Sequence, residues 1–272
     1  TLGYAIQSVI EQEFQDFELL LVDDGSMDGS LAVARTYCDG QRVTLLQDGR
    51  QLGLAPRLNQ IAGLARGEYL ARMDADDIMH RTRLGKQVDY LDAHPDVDVV
   101  GTGVYFIDAD YSILGSRSTR RVHLCRRFSY LQLFHPTIMG RTEWFRANPY
   151  SHQFLRCEDT ELWLRAGGGP NIAHISEPLL FYNRVTNLNV AKTLQSLREY
   201  RQILSVHSYR TCPACRLRET AVTKAKEITY GVLASTGMLG AVIRFRGRSA
   251  ERPGTIEPAT HLQNILARAD GR

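Results

Sequence analysis

Apolar residues fall at helical spacing at Leu2, Ile6, Val9 and Ile10, and the run Phe17 to Val22 (FELLLV) then reads as a buried strand. That strand stops in an acidic turn, Asp23-Asp24-Gly25-Ser26. The alternation repeats with a helix near Leu31 to Tyr37, a strand near Val43 to Gln47 and a helix near Ala55 to Ala65. The strand Glu68 to Met73 follows and runs straight into Asp74-Ala75-Asp76-Asp77. A helix around Leu84 to Ala93 stops before Pro95, and Val97 to Ile107 reads as strand again. Strands that are apolar almost throughout, separated by helices, predict an α/β fold with a mostly parallel, mixed sheet covered by helices on both faces. Ligands of such sheets bind beyond the carboxyl ends of the strands. Both acidic turns fall there, so they are expected to face one crevice.

From Asp108 to Arg127 the pattern becomes irregular and basic, with Arg117, Arg120, Arg121, Arg126 and Arg127, and predicts a mobile loop region. Glu158-Asp159 opens a helix through Arg165 that Gly167-Gly168-Gly169-Pro170 terminates. After Asn189 the sequence is basic and helix-like to about Arg248, followed by a polar end with Pro253 and Pro258.

Composition narrows the class. The chain has 272 residues, 43% hydrophobic and 23% charged, which excludes disorder, collagen and coiled coil and suggests one large α/β domain with an appendage. Its net charge of +3 is unevenly placed: Thr1 to Val190 holds 19 basic and 24 acidic residues, whereas Ala191 to Arg272 holds 14 and 6. A surface attracted to phosphate or anionic lipid would therefore lie in the tail. Five scattered cysteines point to a reducing compartment rather than a disulfide scaffold. No segment combines a basic start, an apolar core and a small-residue cleavage site. The longest uncharged run, Ile228 to Ile243, has 16 residues, short of the roughly 20 of a typical membrane span. With Arg244, Arg246 and Arg248 behind it, this run suits either contact with an anionic membrane surface or a packed helix with a solvated basic end.

The candidate chemistry lies in the two acidic turns. Carboxylates crowded at one strand end repel one another unless a cation or hydrogen-bond donors compensate them, and Mg²⁺ or Mn²⁺ is the natural partner for hard oxygen ligands. A lone aspartate in such a turn more often caps the next helix, and Asp28 and Asp77 taken singly fit either reading. Cys212-Pro-Ala-Cys215 has redox or half-zinc-site spacing without a second pair, which favours two free thiols. His135 reads as a structural or acceptor-loop histidine, and Trp163 as core. No G-x-G-x-x-G follows the early strands, and the basic residues carry no nucleic-acid motif.

Six segments taken together resemble family-two inverting glycosyltransferases of the GT-A fold. They are SVIEQEFQDFELLLVDDGSMDGS, LGLAPRLNQIAGLARGEYLARMDADD, RLGKQVDYLDAHPDVDVVGTGVYFID, HPTIMGR, CEDTELWLR and EPLLFY, in the family's order and spacing. The resemblance covers about Thr1 to Asn189. It implies a glycosyltransferase domain over 1–189, divided into a nucleotide-sugar half (1–107) and an acceptor half (108–189), with a basic helical extension over 190–272. It also implies roles. Asp23 and Asp24 would meet the base and ribose of a nucleotide-diphosphate sugar. Asp74 and Asp76 form the family's D-x-D, Asp74 nearer the ribose and Asp76 nearer a divalent metal. Asp159 would be the general base that activates an acceptor hydroxyl, with Glu158 orienting the acceptor or simply stabilising the helix N-terminus.

Three departures accompany the resemblance. The family opens with a strand and turn that this sequence lacks, so a truncated sequence is expected. The histidine that completes the family's metal site has no counterpart in FYNRVTNLNV, where Asn183, Asn187 or water would substitute. The basic residue beside the diphosphate is displaced, with Arg57 and Arg72 as candidates. The expectation is an inverting transferase that moves a sugar to a glycan or lipid-linked acceptor in surface polysaccharide synthesis. It would act in the cytoplasm or at the inner face of the membrane, without nucleic acid. A nucleotidyltransferase, or an inactive nucleotide-sugar-binding protein, is the alternative.

Overall fold

The computed structural model describes residues 1–125, 128–166, 171–183, 190–208, 212–236 and 257–270. Its first half follows the predicted order: α1 (Leu2–Ile10), β1 (Leu19–Val22), α2 (Ser30–Tyr37), β2 (Val43–Leu46), α3 (Leu54–Leu64), β3 (Tyr69–Ala71), β4 (Ile78–Met79), α4 (Arg83–Ala93) and β5 (Val99–Ile107). Then come β6 (Ile113–Arg117), β7 (Arg120–Cys125), β8 (Phe128–Gln132), a 3₁₀ turn (His135–Thr137), β9 (Met139–Arg141), α5 (Thr142–Ala147), α6 (Glu158–Ala166) and β10 (Ile172–Asn183). Helices α7 (Val190–Val206), α8 (Pro213–Ser235) and α9 (Glu257–Asp270) complete the described chain.

The main sheet runs β3-β9-β5-β10-β4, with β6 on the free end of the β5 edge that β9 begins. It is mixed. Within it only β5 and β10 pair in parallel, while β3–β9, β9–β5, β5–β6 and β10–β4 are antiparallel. Sequence alternation detects the long strands, and β3, β5 and β10 do share one direction. The three-residue β9 that returns between β3 and β5 is too short to register in an apolar pattern. Gly140 allows that insertion, because a Cβ there would lie 2.6 Å from the Asp98 carbonyl oxygen.

β5 explains why near-continuous apolar runs predict helices on both faces. Val99 is buried with Ala62 of α3, Phe145 of α5, Leu162 and Leu164 of α6 and Ile203 of α7. Val100, pointing the other way, is buried with Val9 of α1 and with Leu84 and Leu91 of α4. Strands β1 and β2 form a separate parallel pair. Among the described residues β1 pairs only with β2 and β3 only with β9, and residues of β1 and β3 line one cavity of about 1320 Å³.

Two expectations change. The stretch expected to be a mobile loop from Asp108 to Arg127 contains β6, which extends the β5 edge, and β7, which pairs with β8. Arginines mask these strands in the sequence, β6 on the edge of the main sheet and β7 in a separate pair with β8. Arg117 covers the Phe106 ring at 5.4 Å, so the charged end stays exposed while the stem shields an aromatic. Arg126 and Arg127 lie outside the described residues, as do Gly167–Pro170. The polar end contains α9, with Pro258 in its first turn and Leu262 and Ile265 buried against Ile78, Ile107 and Phe181. The basic extension is helical as expected through Ser235; residues 237–256, including Arg244, Arg246, Arg248 and Pro253, lie outside the described residues. Ile203 and Leu204 of α7 belong to the main core, and Glu227 of α8 joins the two helices through Arg198 and Arg201, both at 2.7 Å. No described helix is long and apolar enough to cross a membrane.

Trp163 is core, as expected, at 1% exposure and stacked at 6.3 Å on Trp144. Its indole nitrogen is buried without a hydrogen-bond partner. Trp163→Ala should cost about 3–5 kcal/mol in urea unfolding. Trp163→Phe should cost far less, since it also removes an unsatisfied donor.

Candidate active site

The first acidic corner follows β1. The Asp23 carboxylate accepts the backbone N–H groups of Gly25 and Ser26, each at 3.2 Å, which folds the turn back on the strand end. Asp24 reaches the loop before α3, where its Oδ1 accepts Leu52 N–H at 2.7 Å and its Oδ2 accepts Gly53 N–H at 3.0 Å. Gly53, at φ 87°, adopts the left-handed backbone that this contact requires. Burial opposes the charge on Asp24, yet the bonds from Leu52, Arg57 and Gly53 prevail and hold its carboxyl below the usual range.

Arg57 binds Asp24 through Nε at 2.9 Å, Asp48 and Gln60 through Nη1, and Asp48 and the Arg50 carbonyl through Nη2. A guanidinium has five N–H groups, and all five are committed. Arg57 therefore braces the loop, and no donor remains for an incoming diphosphate. Asp28 accepts Ser30 N–H at 2.9 Å where α2 begins, the ordinary helix-end role.

The second corner follows β3. Carboxylate oxygens of Asp74, Asp76 and Asp77 lie within 4.8 Å of one another. Asp77 is not a helix cap; α4 starts behind Thr82. It is 1% exposed, and its Oδ1 accepts the backbone N–H of Asn183 at 2.9 Å, from the carboxyl end of β10. Burial, reinforced by Asp74 and Asp76, pushes the Asp77 carboxyl up to about 8. Its Oδ2 and the Asn183 side-chain oxygen are buried without partners. Three crowded carboxylates with two orphaned hard oxygens beside them suit a divalent cation such as Mg²⁺ or Mn²⁺. Asn183 is thus at the cluster, while Asn187 lies outside the described residues.

Asp74 pairs with Nη2 of Arg72. The backbone of Arg72 is clamped, its N–H donating to Ile138 at 2.9 Å and its carbonyl accepting from the fully buried Arg83 at 2.8 Å. The two acidic corners meet in one cavity, since Asp23, Asp24, Asp74 and Asp76 all line it.

Glu158 and Asp159 occupy the first turn of α6. Glu158 is 7% exposed, and burial raises its carboxyl to about 7. Asp159 is partly exposed; burial also raises it, against Thr160 N–H, which it accepts at 2.6 Å. His135 Nδ1 lies 3.8 Å from Glu158 Oε1 and its Nε2 lies 2.9 Å from the Tyr150 hydroxyl. Burial holds this imidazole well below its ordinary range, so the first contact is not an ion pair. The Arg72 charge opposes the upward shifts of both Glu158 and Asp159 and of Tyr150 as well, which places the acidic pair in the same electrostatic neighbourhood as the aspartate cluster. Tyr150 also lines the cavity, and nothing in the sequence around it, NPYSH, signals that role. Far from this site, Cys212 opens α8 and its sulfur accepts Cys215 N–H at 3.3 Å.

The glycosyl transferase family 2 profile matches residues 1–153. EpsE of Bacillus subtilis (strain 168), named as a glycosyltransferase, is 36% identical over 171 residues, 61% of this chain and 61% of EpsE. WfgD of Escherichia coli, named UDP-Glc:alpha-D-GlcNAc-diphosphoundecaprenol beta-1,3-glucosyltransferase, is 26% identical over 192 residues, 68% of this chain and 66% of WfgD. The matches thus span between three fifths and two thirds of those relatives. The mannosyltransferase PcManGT from Pyrobaculum calidifontis, in complex with GDP-Man and Mn²⁺, superposes with a TM-score of 0.60 at 15% identity, over 99% of this chain and 81% of that one. The likeness shows the fold, the expected GT-A arrangement.

Glu158 binds its proton more tightly in the folded chain than in the unfolded chain, where its value is an ordinary 4.5. Between 4.5 and about 7 the unfolded chain releases that proton first, so this group lowers stability as pH rises through the window. Glu158→Gln should match the parent at pH 4 and exceed it by on the order of 2 kcal/mol at pH 8 in thermal or urea unfolding. Identical pH slopes for the two proteins would disprove the assignment.

Proposed function

The chain belongs to glycosyl transferase family 2, and from that premise we propose that it is an inverting glycosyltransferase. It moves a sugar from a nucleotide-diphosphate sugar to a glycan or lipid-linked acceptor in surface polysaccharide synthesis. The observation that carries this reading is that both acidic corners line one cavity with Tyr150, whose hydroxyl lies 2.9 Å from the His135 imidazole that faces Glu158. A donor-holding cluster and an acceptor base must be neighbours for a single displacement, and the shared cavity supports that arrangement.

The residues divide the work. Asp23 and Asp24, fixed by the loop that Arg57 braces, border the cavity where the nucleoside would lie. Asp74, Asp76 and Asp77 would hold the divalent cation, which when bound neutralises the charge that grows on the leaving nucleoside diphosphate. Asp159 takes the proton from the acceptor hydroxyl as that oxygen attacks the anomeric carbon opposite the diphosphate, which inverts the configuration there. Burial raises its affinity for a proton, which favours its taking one from the acceptor. Glu158, whose carboxyl burial raises and which faces His135, orients the acceptor through hydrogen bonds.

The names of relatives support the substrate classes. PcManGT is described with GDP-Man and Mn²⁺, and WfgD is named for a nucleotide-sugar donor and a diphosphoundecaprenol-linked acceptor. A lipid-linked acceptor suits the basic extension, and exposed Cys38 and Cys212 suit a reducing cytoplasm.

Isotope-labelled nucleotide sugars offered with Mn²⁺ and lipid-linked acceptors test the proposal. Sugar transfer should be detected, and Asp159→Asn should lower its rate by roughly 10²–10⁴-fold while leaving donor binding within about twofold. Nucleotidyl transfer, or donor binding without turnover by the parent chain, would overturn it.

A further inference from the structure

The aspartate cluster contains two complementary defects. Asp77 Oδ2 is a buried oxygen without a donor or cation, and Arg72 Nη1 is a buried nitrogen without an acceptor. They do not satisfy each other, although the other arm of the same guanidinium, Nη2, is paired with Asp74. The Arg72 side chain is only 9% exposed, so water does not readily fill the gap. What would satisfy both defects at once is a cation accompanied by an anion: the cation for the carboxylate oxygens, the anion for the guanidinium N–H.

Resting on the donor site read above, we propose that Arg72 is the resident counter-cation of the Asp74–Asp76–Asp77 cluster, displaced from Asp74 when a divalent cation enters and then paired with the phosphate that arrives with it. Among the described ion pairs Arg72 is the cationic partner of this cluster; the buried Arg83 also feels the Asp77 charge but forms no described ion pair with it. Its main chain cannot follow a moving side chain. The N–H is tied to Ile138 and the carbonyl to Arg83, which is itself fully buried and bonded to Gln87 at 2.8 Å. The exchange is therefore a swing of one side chain about a fixed backbone. Arg57 does not serve as a substitute, because its five N–H groups are spent on the loop at the first corner.

The full chain and three variants, Arg72→Gln, Arg72→Met and Arg72→Lys, decide the matter. Free Mn²⁺ measured by electron paramagnetic resonance, with no nucleotide present, should show the two neutral variants binding Mn²⁺ about tenfold more tightly than the parent, with the lysine variant close to the parent. Calorimetry with UDP and GDP at saturating Mn²⁺ should show the reverse order, the neutral variants binding about tenfold more weakly. A third reading needs no folded variant: saturating Mg²⁺ should shift the guanidinium ¹⁵N resonance of Arg72 in the parent. Neutral variants that bind Mn²⁺ no better than the parent, that bind UDP and GDP equally well, or an Arg72 resonance indifferent to Mg²⁺, would each overturn the exchange. Sugar transfer enters none of these measurements, so failure of the transferase reading and failure of this one are separable.

Discussion

Three carboxylates held with their oxygens within 4.8 Å of one another in a partly dry crevice repel, and the surrounding fold must meet that cost with protons, hydrogen-bond donors or positive charge. Each device is present. Asp77 retains a proton to about pH 8, the Asn183 backbone donates to it, and Arg72 neutralises Asp74. Asp77 caps no helix, and the three carboxylates with their orphaned oxygens suit a divalent cation.

The fold brings that cluster together under several strand ends. β3 delivers the cluster and β10 delivers Asn183, while the short β9 joins β3 to the long β5. Behind β9, the loop from α5 carries Tyr150, which closes on His135, and α6 presents Glu158 and Asp159 from its first turn. α7 locks this end in place: Glu199 accepts the Arg156 N–H at 2.8 Å and His207 lies 2.9 Å from Glu161. The helix carrying the acidic pair is thus held from the basic extension as well as packed in the main core.

The first half of this architecture is legible in the sequence because β5 is buried on both faces and its flanking helices on one, which leaves unmistakable runs such as Val99 to Ile107. The acidic corners are legible for a related reason, since strands that end in two or three aspartates announce a charged ligand. What escapes is long-range. Asp77 fits a cap as readily as a ligand in the sequence, until Asn183, 106 positions away, is seen to donate to it. Arg57 and Arg72 are equivalent candidates in sequence, and only the contacts of Asp48 and the Arg50 carbonyl reveal that the first is fully engaged. Strands β6 and β7 are hidden by their arginines, and α9 by two prolines and a polar face. Tyr150 has no local signature at all.

The central claim is that both acidic corners and the Glu158–Asp159 pair surround one cation seat. Paramagnetic broadening by Mn²⁺ tests it most directly, because the effect falls steeply with distance from the ion. With backbone amides assigned, one equivalent of Mn²⁺ should broaden Asn183 most, then Gly53 and Thr160, while Glu219 on α8 stays sharp. Broadening limited to the loop around Asp76, with Gly53 and Thr160 untouched, would contradict the account.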